Sequence, residues 1–391
     1  MWPMVNSVTQ ASATRAQATQ AAQMRLTRAD VLAFRVRAQQ LDRDSGTLAD
    51  TAVLDFGVQD TGPDGALWAL AIRGVDVSAL VGDRLTDKLV MVWTIRGAPH
   101  FYRRGDLPAV AAAVEPFSEA DAGKRIFDAA KPLRAAGIGI LDALDAVAAT
   151  MRSVVTEPMV KGEVSGKLAT LMDPPYLRHC RPCQAIHLYE QPFRLAALRA
   201  GLELQPGTSP PVMRPIPGFA KAASVPARFD LIRACLRLLG PATPKQVAEF
   251  LDSPVKEVKA RWPADAVPVS VDGEARWMLP ESQALLAAGP VRTVRLLGPY
   301  DLFLQARDRS LLVGDPERAK ELWPVLGRPG AVLVDGEIAG LWRPRKSGAK
   351  LRLQLTMWRP VSAALRAAVA EQAERLAAFR QVQLAGVDID G

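Results

Sequence analysis

The sequence predicts an α+β protein: tandem winged helix-turn-helix units, then a β-rich C-terminal domain closed by a long terminal helix. Three patterns carry this expectation. Short helices with capping signals follow one another in threes, Asp-Gly turns divide alternating apolar runs, and one long amphipathic stretch lies near the end. At 391 residues the chain has room for several units. Residues 1–25 read as a poorly ordered tail, 26–135 as an N-terminal winged-helix-like domain, 136–222 and 223–289 as winged helices, and 290–391 as the β-rich domain with its helix.

The N-terminal domain opens with a helix over Thr27–Leu41, after a start that contains no Asp or Glu before Asp30. Leu48–Gly57 and Ala66–Arg73 read as further helices, and Leu89–Ile95 as a buried strand. In the next unit Ile140–Val155, Lys161–Leu171 and Glu190–Ala200 give three helices, the third carrying Arg194 and Arg199, and a Pro-rich wing spans Leu202–Pro217.

The most regular unit runs from Ala227 to Leu279. Phe229, Ile232, Leu236 and Leu239 recur at helical spacing until Gly240-Pro241 stops the helix. Thr243-Pro244-Lys245-Gln246 is a capping-box start, and Ser253-Pro254 begins a third helix by the same chemistry. That helix turns Val255, Val258 and Trp262 inward and leaves Lys256, Lys259 and Arg261 for solvent or phosphate. Val267, Val269 and Val271 then lead through Asp272-Gly273 into Ala275, Trp277 and Leu279, an alternating hairpin that forms the wing.

Beyond Pro290, Leu311–Val313, Ala331–Val334, Ile338–Trp342 and Leu351–Thr356 read as strands and Ser362–Val382 as the long helix. The basic hairpin Arg343–Lys350, with Arg345 and Lys346, suits either a phosphate grip or a solvated loop.

Lysine and arginine outnumber aspartate and glutamate 49 to 41, giving a net charge of +8. A basic chain favours a polyanion, although arginine-rich composition alone produces the same balance. Joined to the winged-helix pattern, it points to double-stranded DNA as partner, with protein contacts as the rival use of such units. No apolar run approaches the roughly 20 residues of a spanning helix, so no membrane role is expected. Three cysteines cannot close a disulfide framework, which suits a reducing cytoplasm, and a monomer is expected. Walker A, dinucleotide, zinc-protease and nucleophile-elbow motifs are absent, and no cofactor is expected. His179, Cys180, Cys183 and His187 lack the two separated ligand pairs of a structural zinc site, so no metal is assigned.

The stretch Leu54-Asp55-Phe56-Gly57-Val58-Gln59-Asp60-Thr61 sets an apolar run directly before three polar side chains. By physics alone it is a turn whose Asp and Thr bond local backbone. It also resembles the catalytic region of the AlkZ and YcaQ type DNA glycosylases, a winged-helix superfamily in which Gln, an aliphatic residue and Gln or Asp form the motif. Trp93-Thr94-Ile95-Arg96-Gly97-Ala98-Pro99-His100 is similar to the Trp, Arg-Gly and His pattern that follows in the family. Leu296-Leu297-Gly298-Pro299-Tyr300-Asp301 and Val334–Trp342 resemble its later segments.

The resemblance implies a monofunctional glycosylase acting on alkylated or cross-linked purines, with Gln59 at the first catalytic position and Arg96 and His100 at the DNA. Thr61 stands where the family has Gln or Asp, and Asp60 where it has an aliphatic residue. Two alternatives follow from that departure. Asp60 orients the attacking water in place of the third residue, or the site keeps only DNA binding, as a non-enzymatic winged-helix protein would.

Overall fold

The computed structural model describes residues 24–62, 65–182 and 184–390. Most of the expected tail, Pro63 and Cys183 lie outside the described residues, as does the side chain of Lys346.

The chain enters through β1 (Met24–Leu26) and α1 (Arg28–Ala38). Met24 and Arg25, expected in the tail, are therefore in a strand. Thr27 caps α1 in a reciprocal capping box with Asp30. Where a helix was expected over Leu48–Gly57 there are turns and one 3-10 turn, Ala52–Asp55. The reason is local: Asp50 accepts from the Thr47 amide at 3.0 Å and the Thr51 hydroxyl donates to the Thr47 carbonyl at 2.6 Å, bonds that compete with a helix. There follow β2 (Val58–Gln59), α2 (Gly65–Ala71), α3 (Asp83–Lys88), β3 (Leu89–Trp93) and β4 (Pro99–Arg103). β3 is buried along its whole length.

Helices α4 (Leu107–Ala113), α5 (Glu119–Arg125) and α6 (Ala130–Ala135) lead to α7 (Ile140–Val154). On α7, Ile140, Ala143, Leu144, Val147, Ala148 and Met151 make one buried stripe at helical spacing. β5 (Met159–Val160) and α8 (Lys161–Leu171) precede the hairpin β6 (Leu177–Cys180) and β7 (Ala185–Leu188), which separates α8 from α9 (Glu190–Arg199). β8 (Leu202–Leu204) and β9 (Val212–Pro215) complete this part. A six-stranded sheet in the order β2-β4-β3-β8-β9-β5 joins strands from both sides of residue 135.

α10 (Leu231–Leu239), α11 (Pro244–Leu251) and α12 (Val255–Ala260) stand where the periodicity set them, and the Thr243–Gln246 capping box forms. Ser253, expected to cap α12, does not: the cap residue is Pro254, and the buried Ser253 hydroxyl has no hydrogen-bond partner. The hairpin β10 (Val267–Val271) and β11 (Glu274–Met278) buries Val269, Val271, Arg276 and Met278. Hence the inner face of β11 is the alternate set to Ala275 and Trp277. β1 adds to it in parallel, Leu26 opposite Val271, and so ties the segment before α1 to this unit.

The last part is a five-stranded sheet, β12 (Val294–Leu297), β13 (Gly330–Val334), β14 (Glu337–Ser347), β15 (Lys350–Met357) and β16 (Gln383–Asp390). Between β12 and β13 lie α13 (Arg309–Leu312) and α14 (Pro316–Leu322), and α15 (Ala363–Phe379) packs on the sheet. Leu311–Val313, expected as a strand, is the end of α13 and its exit. The carbonyls of Leu311 and Leu312 accept from the Arg28 guanidinium instead of from a neighbouring strand.

One apolar core holds α1, α10, α11 and the five-stranded sheet together, and a second fills the space between the six-stranded sheet and α7 to α9. Two buried ionic contacts fasten the segment before α13. Arg73 grips Asp301 with both guanidinium ends, at 2.7 and 2.9 Å, and also donates to the carbonyls of Gln39 and Ala69. Arg35 grips Asp308 in the same way, at 2.9 and 2.7 Å, with Arg276 on the second oxygen. Burial would raise the Asp308 carboxyl, but Arg35 and Arg276 outweigh it and hold it below the usual range. Replacing Asp301 by Ala would leave the buried Arg73 its carbonyl partners but no countercharge. Chemical denaturation should show a loss of about 3–5 kcal/mol, whereas Glu317→Ala, in an exposed pair, should cost about 0.5 kcal/mol or less. Equal effects for the two would remove the ionic contact from its structural role.

Candidate active site and nucleic-acid interface

β2 is short, and pairing of Gln59 with His100 on β4 sets its register. Asp60 and Thr61 follow directly on β2, and their side chains part, Thr61 meeting Gln59 and Asp60 the start of α2. Gln59 Nε2 donates to the Thr61 hydroxyl at 2.9 Å. Asp60 turns toward α2, where Oδ1 accepts the Ala66 amide at 2.9 Å. Burial raises the Asp60 carboxyl, and the Ala66 bond partly opposes the rise. A Cβ at Gly65 would lie 2.0 Å from that oxygen, so a glycine there lets the carboxylate close on the helix start.

Gln59 Oε1 accepts from Gln305 Nε2 at 2.9 Å, and Gln305 also donates to the Tyr300 carbonyl at 2.8 Å. The Gln305 oxygen in turn accepts from Arg96. Arg96, at a positive φ of 57°, donates to the Phe250 carbonyl at 2.8 Å and lies over the Phe250 ring, which stacks on Phe56. A polar relay thus runs from Arg96 through Gln305 and Gln59 to Thr61, with Gln305 drawn from a distant part of the chain. Gln305 escaped sequence reasoning, since a lone Gln in a turn carries no pattern.

Around the relay lies positive charge. Burial first, then repulsion from Arg307 and Arg328, pushes Arg96 down to about 10, with Asp252 opposing. Arg309 is lowered likewise by burial and by the same two arginines. Among the described residues, Arg307, Arg309 and Arg328 have no carboxylate at ion-pair distance, and the Nε of Arg307 is buried without a hydrogen-bond partner. Arg328 lies 5.3 Å over the Tyr300 ring. Beside them runs a groove walled by Thr61, Gly65, Pro299, Arg328, Arg343 and Arg345. The run Arg307-Asp308-Arg309 and the dipeptide Arg328-Pro329 were the available sequence signal for this cluster.

The other expected DNA contacts divide. Lys256 and Lys259 are exposed on α12 without ion pairs among the described residues. Arg261 is bound to Glu257 at 2.7 Å and to the Phe117 carbonyl at 2.8 Å. On α9, Arg194 is held by Glu190 and the Gly97 carbonyl, and Arg199 by Glu115 and Asp145. Those two arginines, expected at the DNA, are thus engaged by carboxylates of their own chain. Arg345 remains exposed, sharing Gln354 Oε1. Lys346 is part of the same strand.

His100, expected at the DNA, is buried, with Nδ1 near the Ala98 carbonyl at 2.9 Å and the Thr94 hydroxyl at 3.0 Å. Thr94 in turn meets the Tyr102 hydroxyl at 2.9 Å. In the Cys-His segment, antiparallel pairing sets His187 opposite Arg178 and His179 opposite Ile186. The two imidazoles therefore leave opposite faces of the hairpin.

Burial, reinforced by the Arg96 charge, pushes His100 from 6.5 to about 3. Between those values the unfolded chain binds a proton that the folded one refuses. This stability is present above pH 6.5 and is lost as pH falls toward 3. Replacing His100 with Gln should therefore flatten stability against pH by about 1.4 kcal/mol per pH unit between roughly pH 6 and 5. Parallel curves for the two proteins would contradict the buried neutral ring.

A model of the family described as DNA glycosylase AlkZ-like matches residues 48–379. No curated protein matches the chain. Among solved structures, the Streptomyces sahachiroi DNA glycosylase AlkZ is similar in fold, with a TM-score of 0.70 and 19% identity over 94% of this chain and 100% of that one.

Proposed function

Because the chain belongs to the AlkZ-like DNA glycosylase family, we propose that it hydrolyses the N-glycosidic bond of alkylated or cross-linked purines in double-stranded DNA, with Gln59 and Thr61 holding the attacking water. The observation that carries this reading is the 2.9 Å Gln59–Thr61 contact beside the arginine-walled groove. Thr61 thus stands in for the family's third motif residue. Asp60, whose side chain meets the start of α2 instead, is a positioning residue that anchors that helix.

An N7- or N3-alkylated purine already carries positive charge and departs without a proton from the protein. What the site must do is place water at the anomeric carbon and support oxocarbenium character there. A fixed amide and a hydroxyl suffice for the first task, since water attacking so reactive a centre needs orientation more than a strong base. No lysine lines the groove or the inner cleft at Gln59 among the described residues, which fits hydrolysis without a Schiff base and without strand cleavage.

The helix trios α7-α8-α9 and α10-α11-α12, each followed by a strand pair, support the reading of two winged-helix units. In the second, α12 offers Lys256 and Lys259 to the DNA backbone. Their double replacement by Ala should weaken duplex binding evenly across sequences and flatten the salt slope by up to about two units. An unchanged slope would take α12 out of the interface.

Release of free base from alkylated duplex is the direct test. Gln59→Ala should lower the single-turnover rate by about 100-fold or more with duplex binding nearly intact, and Thr61→Val should fall in between. Asp60→Asn keeps an acceptor for the Ala66 amide and should cost about threefold or less. A large loss at Asp60→Asn with Gln59→Ala neutral would reverse the assignment. Tight duplex binding with no base release from any alkylated purine would leave the non-enzymatic DNA-binding reading.

A further inference from the structure

The loop joining α14 to β13, Trp323–Pro329, carries the two most exposed large apolar side chains of the described residues. Val325 is 94% exposed and Leu326 86%. The backbone beneath them is tied down. Trp323 Nε1 donates to the Leu304 carbonyl at 3.2 Å, Arg343 donates to the Gly327 carbonyl at 2.7 Å, and Arg328 rests on Tyr300. Pro324 and Pro329 restrict the chain on either side. The side chains are therefore presented to water by a stapled loop, not left there by a slack one.

Holding two aliphatic side chains in water is unfavourable, and their surroundings say what would cover them. Arg328, Arg343 and Arg345 share the adjoining groove with Thr61. Through Tyr300 and Gln305 the same loop stem is three contacts from Gln59. An apolar tip inside a cationic collar suits a partner that is a polyanion outside and apolar within, which is the description of a duplex with its stacked bases. A second copy of this chain would bring its own positive collar and be repelled.

We propose that Val325 and Leu326 form a wedge that enters the base stack beside the damaged nucleotide, while Arg328, Arg343 and Arg345 hold the flanking phosphates. Insertion separates one base step and bends the strand, which opens the sugar of the damaged nucleotide toward Gln59 and Thr61. The wedge rests on the reading of the chain as a glycosylase of duplex DNA, and it can be tested apart from it.

The test uses the full chain and its Val325→Ser/Leu326→Ser variant, which should melt like the parent because both side chains are exposed. The probe is a duplex with 2-aminopurine next to N7-methylguanine on a 2′-fluoroarabino sugar, which resists hydrolysis. Wild-type protein should raise the 2-aminopurine fluorescence severalfold, and the variant should not, at an unchanged salt slope. Release of 7-methylguanine from ordinary duplex should fall by about tenfold or more in the variant, while release from single-stranded DNA, already unstacked, should change less than about twofold. Equal fluorescence with both proteins overturns the wedge, as does a variant whose sole defect is lost self-association. Fluorescence that depends on the wedge, without base release by either protein, supports the wedge and fails the glycosylase reading.

Discussion

The candidate site depends on how the segment from Asp301 to Asp308 is held. Arg73 takes one end and Arg35 with Arg276 the other, and all of these side chains are buried. Gln305 lies between the two clamps, so its amide has little freedom except to face Gln59 and Arg96. Buried ion pairs often add little net stability, but they are selective, because a displaced partner leaves a charge without water. Here that selectivity fixes a polar relay whose members come from residues 59, 96 and 305.

The same arrangement explains why positive charge gathers where it does. Ion pairing neutralises Arg35 and Arg73. Among the described residues Arg307, Arg309 and Arg328 have no such relief, and Arg309 and Arg328 rest on the rings of Trp323 and Tyr300. Like charges held together at partial burial favour an anion. The arginines that periodicity offered, Arg194 and Arg199, are by contrast spent on Glu190 and Glu115. Surface position on a helix is a weak guide to a free cation when carboxylates from other elements can reach it.

Asp60 bonds local backbone, as aspartate before a turn commonly does. Gln59 and Thr61 are different: their side chains meet each other, and Gln305 from a remote segment completes their contacts. That α2 starts with a glycine under the Asp60 carboxylate shows the motif and the helix to be one local design.

By itself the sequence determined the local elements whose signals are short in range. The Thr243–Gln246 cap, the Asp272-Gly273 and Asp335-Gly336 hairpins, the buried strand at Leu89 and the long helix after Ser362 each follow from a few neighbouring residues. Tertiary structure alone decided what those signals do not encode. β4 and β12 gain their strand character from partners, Arg28 claims the carbonyls that would have made Leu311–Val313 a strand, and β1 crosses to β10 from the far end of the chain. The relay belongs to this second class, since a hydrogen bond across 246 positions leaves no trace in spacing. Local pattern sets which elements form, and burial of charge between distant elements sets where the chemistry sits.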